Sequence, residues 1–444
     1  MITQFMNGLA AAFVKDVGMA EQGFKKIEFA EASMPVLMFL RRKYSAEKPF
    51  ADLTISACLH VTKETAVLAR TLRDGGARVV LCASNPLSTQ DEVASALASD
   101  GFNVYALRGM SARQYYEAIG MALSHRPDMT VDDGADLVIS LHKIVLGFRE
   151  ETVDIVKKTA GDIGYHIDRV IGGTEETTTG VNRLKAMEAE GVLKYPIIAV
   201  NDALSKSLFD NPLGTGQSAL DGVIRATNIL FAGKNVVVCG YGRVGSGIAE
   251  RARGLGARVT VVEPDPIKAL QAYMAGYTVT SMDKAAEYGD VFITATGNID
   301  VIRGEHMLKM KDGAILANAG HMDVEINKQD LRELSVAVDK VKENVEVYRL
   351  RNGRKIYLLA EGRLVNLVCA EGHPSEVMDL SFALQAESLR YIVENHERLE
   401  RKVYNVPTEI DRTVARIKLE TLGLTLETFT AKQREYMTSW QTGT

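Results

Sequence analysis

The feature that most constrains this chain is a glycine-rich turn between two short apolar runs, within residues 234–263. Residues 234–239 are apolar and β-branched, which is typical of a strand buried on both faces of a parallel sheet. Gly240, Gly242 and Gly245 follow at once, then a helix-length stretch, then a second apolar run that ends at Glu263. The order predicts a βαβ unit of the Rossmann type.

Each part of this unit has a physical use in holding a dinucleotide. The first glycine permits the tight turn, the second lets the backbone approach a pyrophosphate, and the third lets the helix pack on the strand. The helix N-terminus then faces the phosphates. Glu263 lies where a carboxylate accepts the ribose hydroxyls and repels a 2′-phosphate, so the sequence predicts NAD rather than NADP. A glycine-rich turn in an unrelated α/β protein is the alternative.

Composition excludes several classes of partner. The 444 residues predict two or three domains, and 46% hydrophobic with 25% charged residues is ordinary for a globular protein. A net charge of −5 argues against nucleic acid as a partner. The four cysteines are scattered without a CxxC pair, which predicts reduced thiols and a cytoplasmic protein. No run is long enough to span a membrane, and the first residues do not resemble a signal peptide.

Apolar runs alternate with helix-length segments before the glycines, which predicts a second parallel α/β domain. The expected strands are residues 53–59, 77–83, 104–107, 136–140, 169–172 and 196–201, with helices at 63–73 and 90–97. After Glu263 the rhythm continues through residues 291–296 and 314–318, which extend the dinucleotide-binding sheet.

The pattern changes near residue 375, where apolar residues recur every three or four positions and predict one long helix that crosses back to the first domain. The fold class is therefore α/β, with two Rossmann-like parallel-sheet domains, a hinge and a helical C-terminal tail. The predicted boundaries are 1–201 and 375–405 for the substrate-binding, catalytic domain, 217–371 for the NAD-binding domain, and 406–444 for an oligomerisation tail.

Polar residues cluster where the strands of the first domain end, the place where open α/β sheets bind ligands. One such cluster is explained by helix N-caps, but five in succession predict a site. The clusters are His60, Thr62 and Glu64; Asn85 and residues 88–91; Asp132 and Asp133; residues 175–179; and Asn201, Asp202, Lys206, Asp210 and Asn211.

At these residues the chain resembles the S-adenosylhomocysteine hydrolase (adenosylhomocysteinase) family. The resemblance rests on residues 58–65, 84–91, 132–136, 175–180, 201–211, the Gly240 loop, 319–321, 360–366 and 372–374, which span nearly the whole chain. It implies reversible hydrolysis of S-adenosylhomocysteine to adenosine and homocysteine. The 3′-hydroxyl is transiently oxidised with bound NAD, the C4′ proton is removed, homocysteine is eliminated, water adds and the ketone is reduced again.

The resemblance also assigns roles to residues. Lys206 and Asp210 handle the 3′-hydroxyl proton, and Glu176 hydrogen-bonds the ribose hydroxyls. Asp133 with His60 serves C4′ and C5′, and His321 supports them. A lysine that acts as a base needs a lowered pKa, which a desolvated cleft supplies. The implied substrate-binding set is Thr62, Glu64, Asn85, Asp133, Glu176, Lys206, Asp210 and His373, with Glu64 accepting from the adenine 6-amino group and thus favouring adenosine over inosine.

The implied cofactor is NAD, one per subunit and tightly bound. Its implied contacts are Thr177, Thr178, Thr179, Asn211, Gly240, Gly242, Arg243, Val244, Gly245, Ser246, Gly247, Glu263, Lys268, Thr296, Asn298, Ala319, Gly320, His321, Asn366 and His373. Lys432 and Tyr436 match a pair that reaches the NAD of a neighbouring subunit, which implies a homo-oligomer, usually a tetramer.

The chain departs from the family pattern at three informative positions. Thr215 stands where many members have cysteine, and Lys268 where many have asparagine, which weakens the argument for strict NAD preference. Ala135 replaces a glycine, a small change if the backbone there is not left-handed. The tail lacks the aromatic, basic ending of some members, so we expect faster cofactor exchange.

Three other functions stay open at this stage. They are an S-inosylhomocysteine-preferring homologue, a simple NAD-dependent dehydrogenase, and a catalytically silent NAD-binding regulator. Eight histidines and four cysteines show no zinc-like spacing, so the sequence predicts no metal site.

Overall fold

The computed structural model describes residues 3–7 and 10–441, and within them the chain forms two mainly parallel sheets covered by helices. The strands are β1 Thr3–Asn7, β2 Ala10–Val14, β3 Thr54–Leu59, β4 Arg78–Ala83, β5 Asn103–Tyr105, β6 Met129–Asp132, β7 Gly172–Glu175, β8 Ile197–Ala199, β9 Asn235–Cys239, β10 Arg258–Val262, β11 Thr278–Val279, β12 Val291–Thr294, β13 Ala314–Asn318, β14 Ser335–Lys342, β15 Val345–Leu350, β16 Lys355–Leu359 and β17 Val403–Asn405.

Helices connect most of these strands. They are α1 Ala20–Ala32, α2 Pro35–Glu47, α3 Lys63–Asp74, α4 Asp91–Ser99, α5 Ala112–Ser124, α6 Asp136–Val145, α7 Glu151–Ala160, α8 Thr178–Ala189, α9 Leu204–Ser207, α10 Gly216–Thr227, α11 Arg243–Gly254, α12 Pro266–Met274, α13 Met282–Ala286, α14 Gly304–Met307, α15 Lys328–Glu333, α16 Val365–Val368, α17 Ser375–Asn395, α18 Thr408–Thr421 and α19 Ala431–Thr438. A π-helical turn, Asp210–Thr215, precedes α10.

The first sheet has the strand order β1-β2-β5-β4-β3-β6-β7-β8-β17. From β5 to β8 this is the order 3-2-1-4-5-6 of a doubly wound fold, and these strands are parallel. The strand order reverses between β3 and β6. A ligand crevice is expected at the carboxyl ends of those two strands.

The second sheet has the order β11-β10-β9-β12-β13-β16-β15-β14, and its first six strands repeat the order 3-2-1-4-5-6. Here the order reverses between β9 and β12, directly beside the Gly240 turn. Strands β14 and β15 extend the sheet antiparallel. The two halves of the molecule therefore share one topology, each with its own crevice.

The cores follow from strand pleating. Along β9, Val236 and Val238 pack on one face of the second sheet, whereas Val237 and Cys239 pack on the other. Both faces are covered by helices, which is why β9 reads as a continuous apolar run rather than an alternating one.

The structure confirms the predicted α/β class with two such sheets, but one strand prediction was wrong. Residues 136–140 begin α6, and the strand that precedes them is β6. The backbone N–H of Val138 donates to Asp132 Oδ2 at 2.9 Å, which ties the first turn of α6 to the end of β6. The strand expected at residues 169–172 begins only at Gly172.

The long predicted helix is α17, and it packs against α2, α3 and β7 of the first half. Strand β17 follows it and pairs with β8. The tail continues as α18 and α19, while residues 442–444 lie outside the described part, as do residues 1–2 and 8–9. None of the helices in the described ranges has the length and apolar character needed to cross a membrane.

Candidate active site

The two crevices open into one shared cavity of about 680 Å³. Polar side chains enter from the ends of β3, β6, β7 and β8, and backbone loops enter from the ends of β9, β12 and β13. The predicted site residues that line it are His60, Thr62, Glu64, Asp133, Glu176, Thr177, Thr178, Thr179, Lys206, Asp210, Asn211, Gly242, Arg243, Val244, Lys268, Thr296, Ala319, Gly320, His321, Asn366 and His373.

Other predicted residues do not line the cavity: Asn85, Gly240, Gly245, Ser246, Gly247, Glu263, Asn298, Lys432 and Tyr436. Asn85 Oδ1 accepts from the N–H of Leu87 at 2.9 Å and shapes its own loop. Glu263 Oε2 accepts from the N–H of Tyr241 at 2.6 Å, so it contacts the glycine turn from the rim. Lys432 and Tyr436 lie on α19, whose residues are exposed.

Lys206 is the centre of a buried polar network. Its Nζ lies 2.8 Å from Asn211 Oδ1, 3.2 Å from Asn201 Oδ1 and 3.2 Å from Asp210 Oδ1. Burial lowers the pKa of this lysine, but the charges of Asp210 and Glu176 act in the opposite direction and leave the pKa raised. Desolvation alone would supply the lowered pKa that a lysine base needs, but in this arrangement the carboxylates outweigh it.

Asp210 is held as an anion from several sides. Its Oδ2 accepts from Ser381 Oγ at 2.8 Å and lies 3.5 Å from His373 Nδ1. Burial opposes ionisation of Asp210, but Lys206 and His373 hold its pKa below the ordinary value. His373 Nε2 lies 2.9 Å from Thr215 Oγ1. Thr215 is the residue that stands in place of cysteine.

Glu176 differs from Asp210 although both are buried. Burial raises its pKa to about 8 even though Lys206 Nζ lies 3.9 Å from Oε1. Its Oε2 accepts from Gln385 Nε2 of α17. Burial thus favours the protonated form of Glu176, which can donate as well as accept a hydrogen bond.

His60, Asp133 and His321 meet across the boundary between the halves. His60 Nε2 lies 3.4 Å from Asp133 Oδ2, and His321 Nδ1 lies 3.6 Å from Asp133 Oδ1. Burial lowers the pKa of His60 to about 4, so its ring is neutral near pH 7. Although spacing in the sequence predicts no metal site, the fold brings one ligand atom from each of these residues within 4.8 Å of the others.

The loop that carries Asp133 leaves no room for a side chain at Gly134. A Cβ there would lie 2.3 Å from His321 Nε2, and the φ of Gly134 is +105°. The next residue, Ala135, also has a positive φ of 65°. The substitution of alanine for glycine at 135 is therefore not small, because the backbone there is left-handed and costs an L-residue about 1 kcal/mol or more.

Two buried acids, Glu175 and Asp132, form hydrogen bonds to the loop that carries Asp133. Glu175 Oε1 accepts from the N–H groups of Gly134 at 2.8 Å and Thr177 at 3.0 Å. Burial, together with the charge of Asp132, raises the pKa of Glu175 well above its ordinary value, and burial raises that of Asp132 to about 8. They hold the Asp133 loop and the start of α8 in one arrangement.

Glu64 also lines the cavity, from the first turn of α3. It is 1% exposed, and its Oε1 accepts from Ser375 Oγ at 2.6 Å. Thr62 is the N-cap of α3 and accepts from the N–H of Thr65. Threonine is a preferred N-cap residue, so the start of the helix by itself accounts for Thr62 at this position.

The crevice of the second half suits a dinucleotide. A Cβ built on Gly242 meets nothing within 4 Å, so a ligand can approach the backbone, whereas a Cβ on Gly245 would lie 1.9 Å from the carbonyl oxygen of Gly240. Asn366 lines the cavity, is 2% exposed, and its Oδ1 has no hydrogen-bond partner among the described residues. An unpaired buried acceptor facing the crevice fits the amide of a nicotinamide.

Glu325 is a functional residue that the sequence reasoning missed. Its carboxylate accepts from the N–H groups of Thr296 and Gly297 at 3.0 and 2.8 Å and from Thr296 Oγ1 at 2.7 Å. It thereby fixes the loop after β12 at the edge of the crevice. Ser375, Ser381 and Gln385 were missed for another reason: they lie on α17, far in sequence from the acids that they contact.

Comparison with known proteins shows which family the chain matches. The family model described as S-adenosyl-L-homocysteine hydrolase matches residues 11–444. An adenosylhomocysteinase of Pyrobaculum aerophilum is 59% identical over 97% of this chain and 99% of its own length, and one of Sulfurisphaera tokodaii is 57% identical over the same shares. An S-inosyl-L-homocysteine hydrolase of Methanocaldococcus jannaschii is 52% identical over 97% of this chain and 99% of its own.

Proposed function

The chain belongs to the S-adenosyl-L-homocysteine hydrolase family, and from this premise we propose that it is the enzyme that reversibly hydrolyses S-adenosyl-L-homocysteine to adenosine and L-homocysteine. The observation that carries the proposal is the meeting of the Lys206 network with the glycine turn in one cavity. A buried lysine among carboxylates suits proton transfer at ribose hydroxyls, and the turn suits a dinucleotide.

NAD fits the second crevice, held by the Gly242 turn, the loops after β12 and β13, and Asn366. When bound, NAD supplies hydride acceptance and return at the ribose 3′-carbon, which makes the 4′-proton acidic. Glu263, at the glycine turn, would accept hydrogen bonds from the hydroxyls of the adenosine ribose. We further propose that each subunit holds one NAD tightly.

Lys206 and Asp210 carry out proton transfer at the 3′-hydroxyl. In the described arrangement Lys206 keeps its own proton because Asp210 lies 3.2 Å away. A ribose hydroxyl that inserts between them weakens this pairing, while Ser381 and His373 retain Asp210. Burial then lowers the pKa of Lys206, and once the ammonium group has released its proton to solvent, the neutral Nζ can accept the 3′-hydroxyl proton. Glu176 donates to, or accepts from, the adjoining hydroxyl.

Asp133 and His60 serve the chemistry at C4′ and C5′. His60 is neutral, and Ser88 Oγ lies 2.7 Å from its Nδ1, which leaves Nε2 directed towards Asp133. The pair can take the C4′ proton and return a proton to the departing sulfur, and in the second half of the reaction it can activate the water that adds at C5′. His321 orients Asp133 from the other half.

Glu64 accepts from the 6-amino group of adenine, which favours adenosine over inosine because a 6-oxo group would face it with a second acceptor. The relative named for S-inosyl-L-homocysteine makes the inosine compound the second candidate substrate.

The exposed tail supports an oligomer. Tyr436, Met437 and Trp440 are 60%, 68% and 91% exposed, which is costly for large apolar side chains in a lone subunit. We propose a cytoplasmic homotetramer in which Lys432 and Tyr436 reach the NAD of a neighbouring subunit.

Incubation of the purified protein with NAD, adenosine and homocysteine tests the function, with inosine in parallel. We expect S-adenosylhomocysteine to form with only transient reduction of the nicotinamide. Net accumulation of NADH would identify a simple dehydrogenase, and absence of product with both nucleosides would identify a silent regulator.

A further inference from the structure

Lys63 does not line the cavity, but it contacts Glu64, the acid proposed to recognise the base. Lys63 Nζ lies 3.2 Å from Glu64 Oε1, on the oxygen that also accepts from Ser375 Oγ. The Lys63 side chain is 11% exposed, and the Glu64 side chain 2%. This is a largely desolvated ion pair, in which charges interact far more strongly than at the surface.

The second carboxylate oxygen of Glu64 is in a different position. No hydrogen bond to Oε2 occurs among the described residues, and Glu64 lines the cavity. Since Ser375 and Lys63 both engage Oε1, they fix which oxygen remains available to a ligand. A carboxylate oxygen that makes no other contact can accept a hydrogen bond from a ligand.

Lys63 also contacts Glu371, which directly precedes residues 372–374, the predicted hinge segment. Glu371 Oε2 lies 3.4 Å from Lys63 Nζ and 3.9 Å from Lys26 Nζ. Glu371 is followed by Gly372, His373 and Pro374, after which α17 begins with Ser375. The first turn of α3 is therefore joined to the hinge segment by ionic contacts and by the Ser375 hydrogen bond.

We propose that Lys63 is a positioning residue for purine recognition: together with Ser375 it holds Oε1 of Glu64 so that Oε2 stays available as an acceptor, and thereby selects a 6-amino purine over a 6-oxo purine. This rests on the proposed function. Without the ammonium group only Ser375 holds Oε1, and the carboxyl group of Glu64 can rotate out of the arrangement that presents Oε2 as an acceptor to a 6-amino group. Selectivity, rather than folding, is the property that Lys63 controls.

The test compares kcat/KM for adenosine and for inosine, each with homocysteine, in the NAD-loaded full-length protein. Lys63→Met is expected to lower the adenosine-to-inosine ratio about tenfold, the size of one charge-assisted hydrogen bond, with most of the change in KM. Lys63→Arg restores the positive charge and is expected to return the ratio to within about threefold of wild type. Lys26→Met is the matched control, since Lys26 contacts Glu371 but not Glu64, and is expected to leave the ratio unchanged.

Three results would overturn the proposal: an unchanged ratio in Lys63→Met, an equal loss of both nucleosides, or an equal shift in Lys26→Met. Failure of the proposed function appears separately, in the wild-type protein with both nucleosides. In that event calorimetric binding of adenosine and inosine to the same variants makes the comparison without turnover.

Discussion

The crevice of the first sheet is lined by ionisable side chains that are almost fully buried, whereas the crevice of the second sheet presents glycines and backbone amides. Lys206, Asp210 and Glu176 are each less than 7% exposed, while Thr296 and Gly297 are exposed. Both crevices arise at the same reversal of the same strand order. The topology therefore supplies the place, and the residues that follow the strands decide whether it performs proton transfer or binds a dinucleotide.

The largest effect is expected from removing the centre of the first crevice. Lys206→Ala should lower the rate of S-adenosylhomocysteine synthesis by about 10³-fold, within the range for loss of an acid–base group, while NAD remains bound. Turnover and the NAD content of the gel-filtered protein are the measurements. Lys185→Ala is the control, since Lys185 forms a half-exposed ion pair with Asp202. Full activity in Lys206→Ala would remove the division of labour between the crevices.

In the second crevice, a substitution is expected to weaken NAD binding. Gly245→Ala places a Cβ 1.9 Å from the carbonyl oxygen of Gly240, so the turn must distort and NAD affinity should fall by about 10²-fold or more, since overpacking costs about 1–3 kcal/mol or more. Gly254→Ala lies on the same helix with nothing within 4 Å of its Cβ, and should leave affinity unchanged. Titration of NAD by calorimetry compares the two variants, and equal affinities would contradict the assignment of the turn.

A smaller effect separates Glu176 from Asp210. Because burial raises the pKa of Glu176 from 4.5 to about 8, the folded protein keeps a proton that the unfolded chain releases. Stability from this group is present below about pH 4.5 and is lost as the pH rises to about 8. Glu176→Gln should flatten this fall, as measured by denaturant unfolding between pH 5 and pH 9. Substitution of the exposed Glu397 by Gln should leave the slope as it is, and an unchanged slope in Glu176→Gln would show that Glu176 is ionised.

The smallest effect concerns the loop that carries Asp133. Ala135→Gly should stabilise the protein by about 1 kcal/mol, because glycine adopts the positive φ of 65° without strain. For a chain of this length the thermal midpoint should rise by roughly 1 to 2 °C. Ala286→Gly, on α13, should act in the opposite direction. A lower midpoint in Ala135→Gly would mean that the methyl group of Ala135 packs more favourably than its backbone is strained.

Local sequence pattern was sufficient for the second crevice. The run before Gly240 and the acid at 263 are contiguous signals, and β9, α11 and β10 follow in the predicted order. The same reasoning failed at residues 136–140, where an apolar run forms a helix. The deciding interaction there is the Asp132 carboxylate at the start of α6, which composition does not encode.

The first crevice was predicted as a set of residues but not as a network. The sequence indicates that a lysine base needs a lowered pKa, but it does not give the distance from Lys206 to Asp210, and in the described arrangement that contact leaves the pKa of Lys206 raised. Ser381 and Gln385 contact acids 171 and 209 positions away in sequence. No periodicity in α17 distinguishes those two residues from ordinary buried polar positions.

The partners that Lys206 already has affect the energetics of turnover. Oxygen atoms of Asn201, Asn211 and Asp210 already lie 3.2, 2.8 and 3.2 Å from its Nζ. A ribose hydroxyl that reaches the ammonium group therefore replaces a partner instead of adding one, so ground-state affinity gains little from the contact. Any stronger contact that forms as charge develops on the 3′-oxygen lowers the barrier without trapping the substrate, and this favours a high kcat over a low KM.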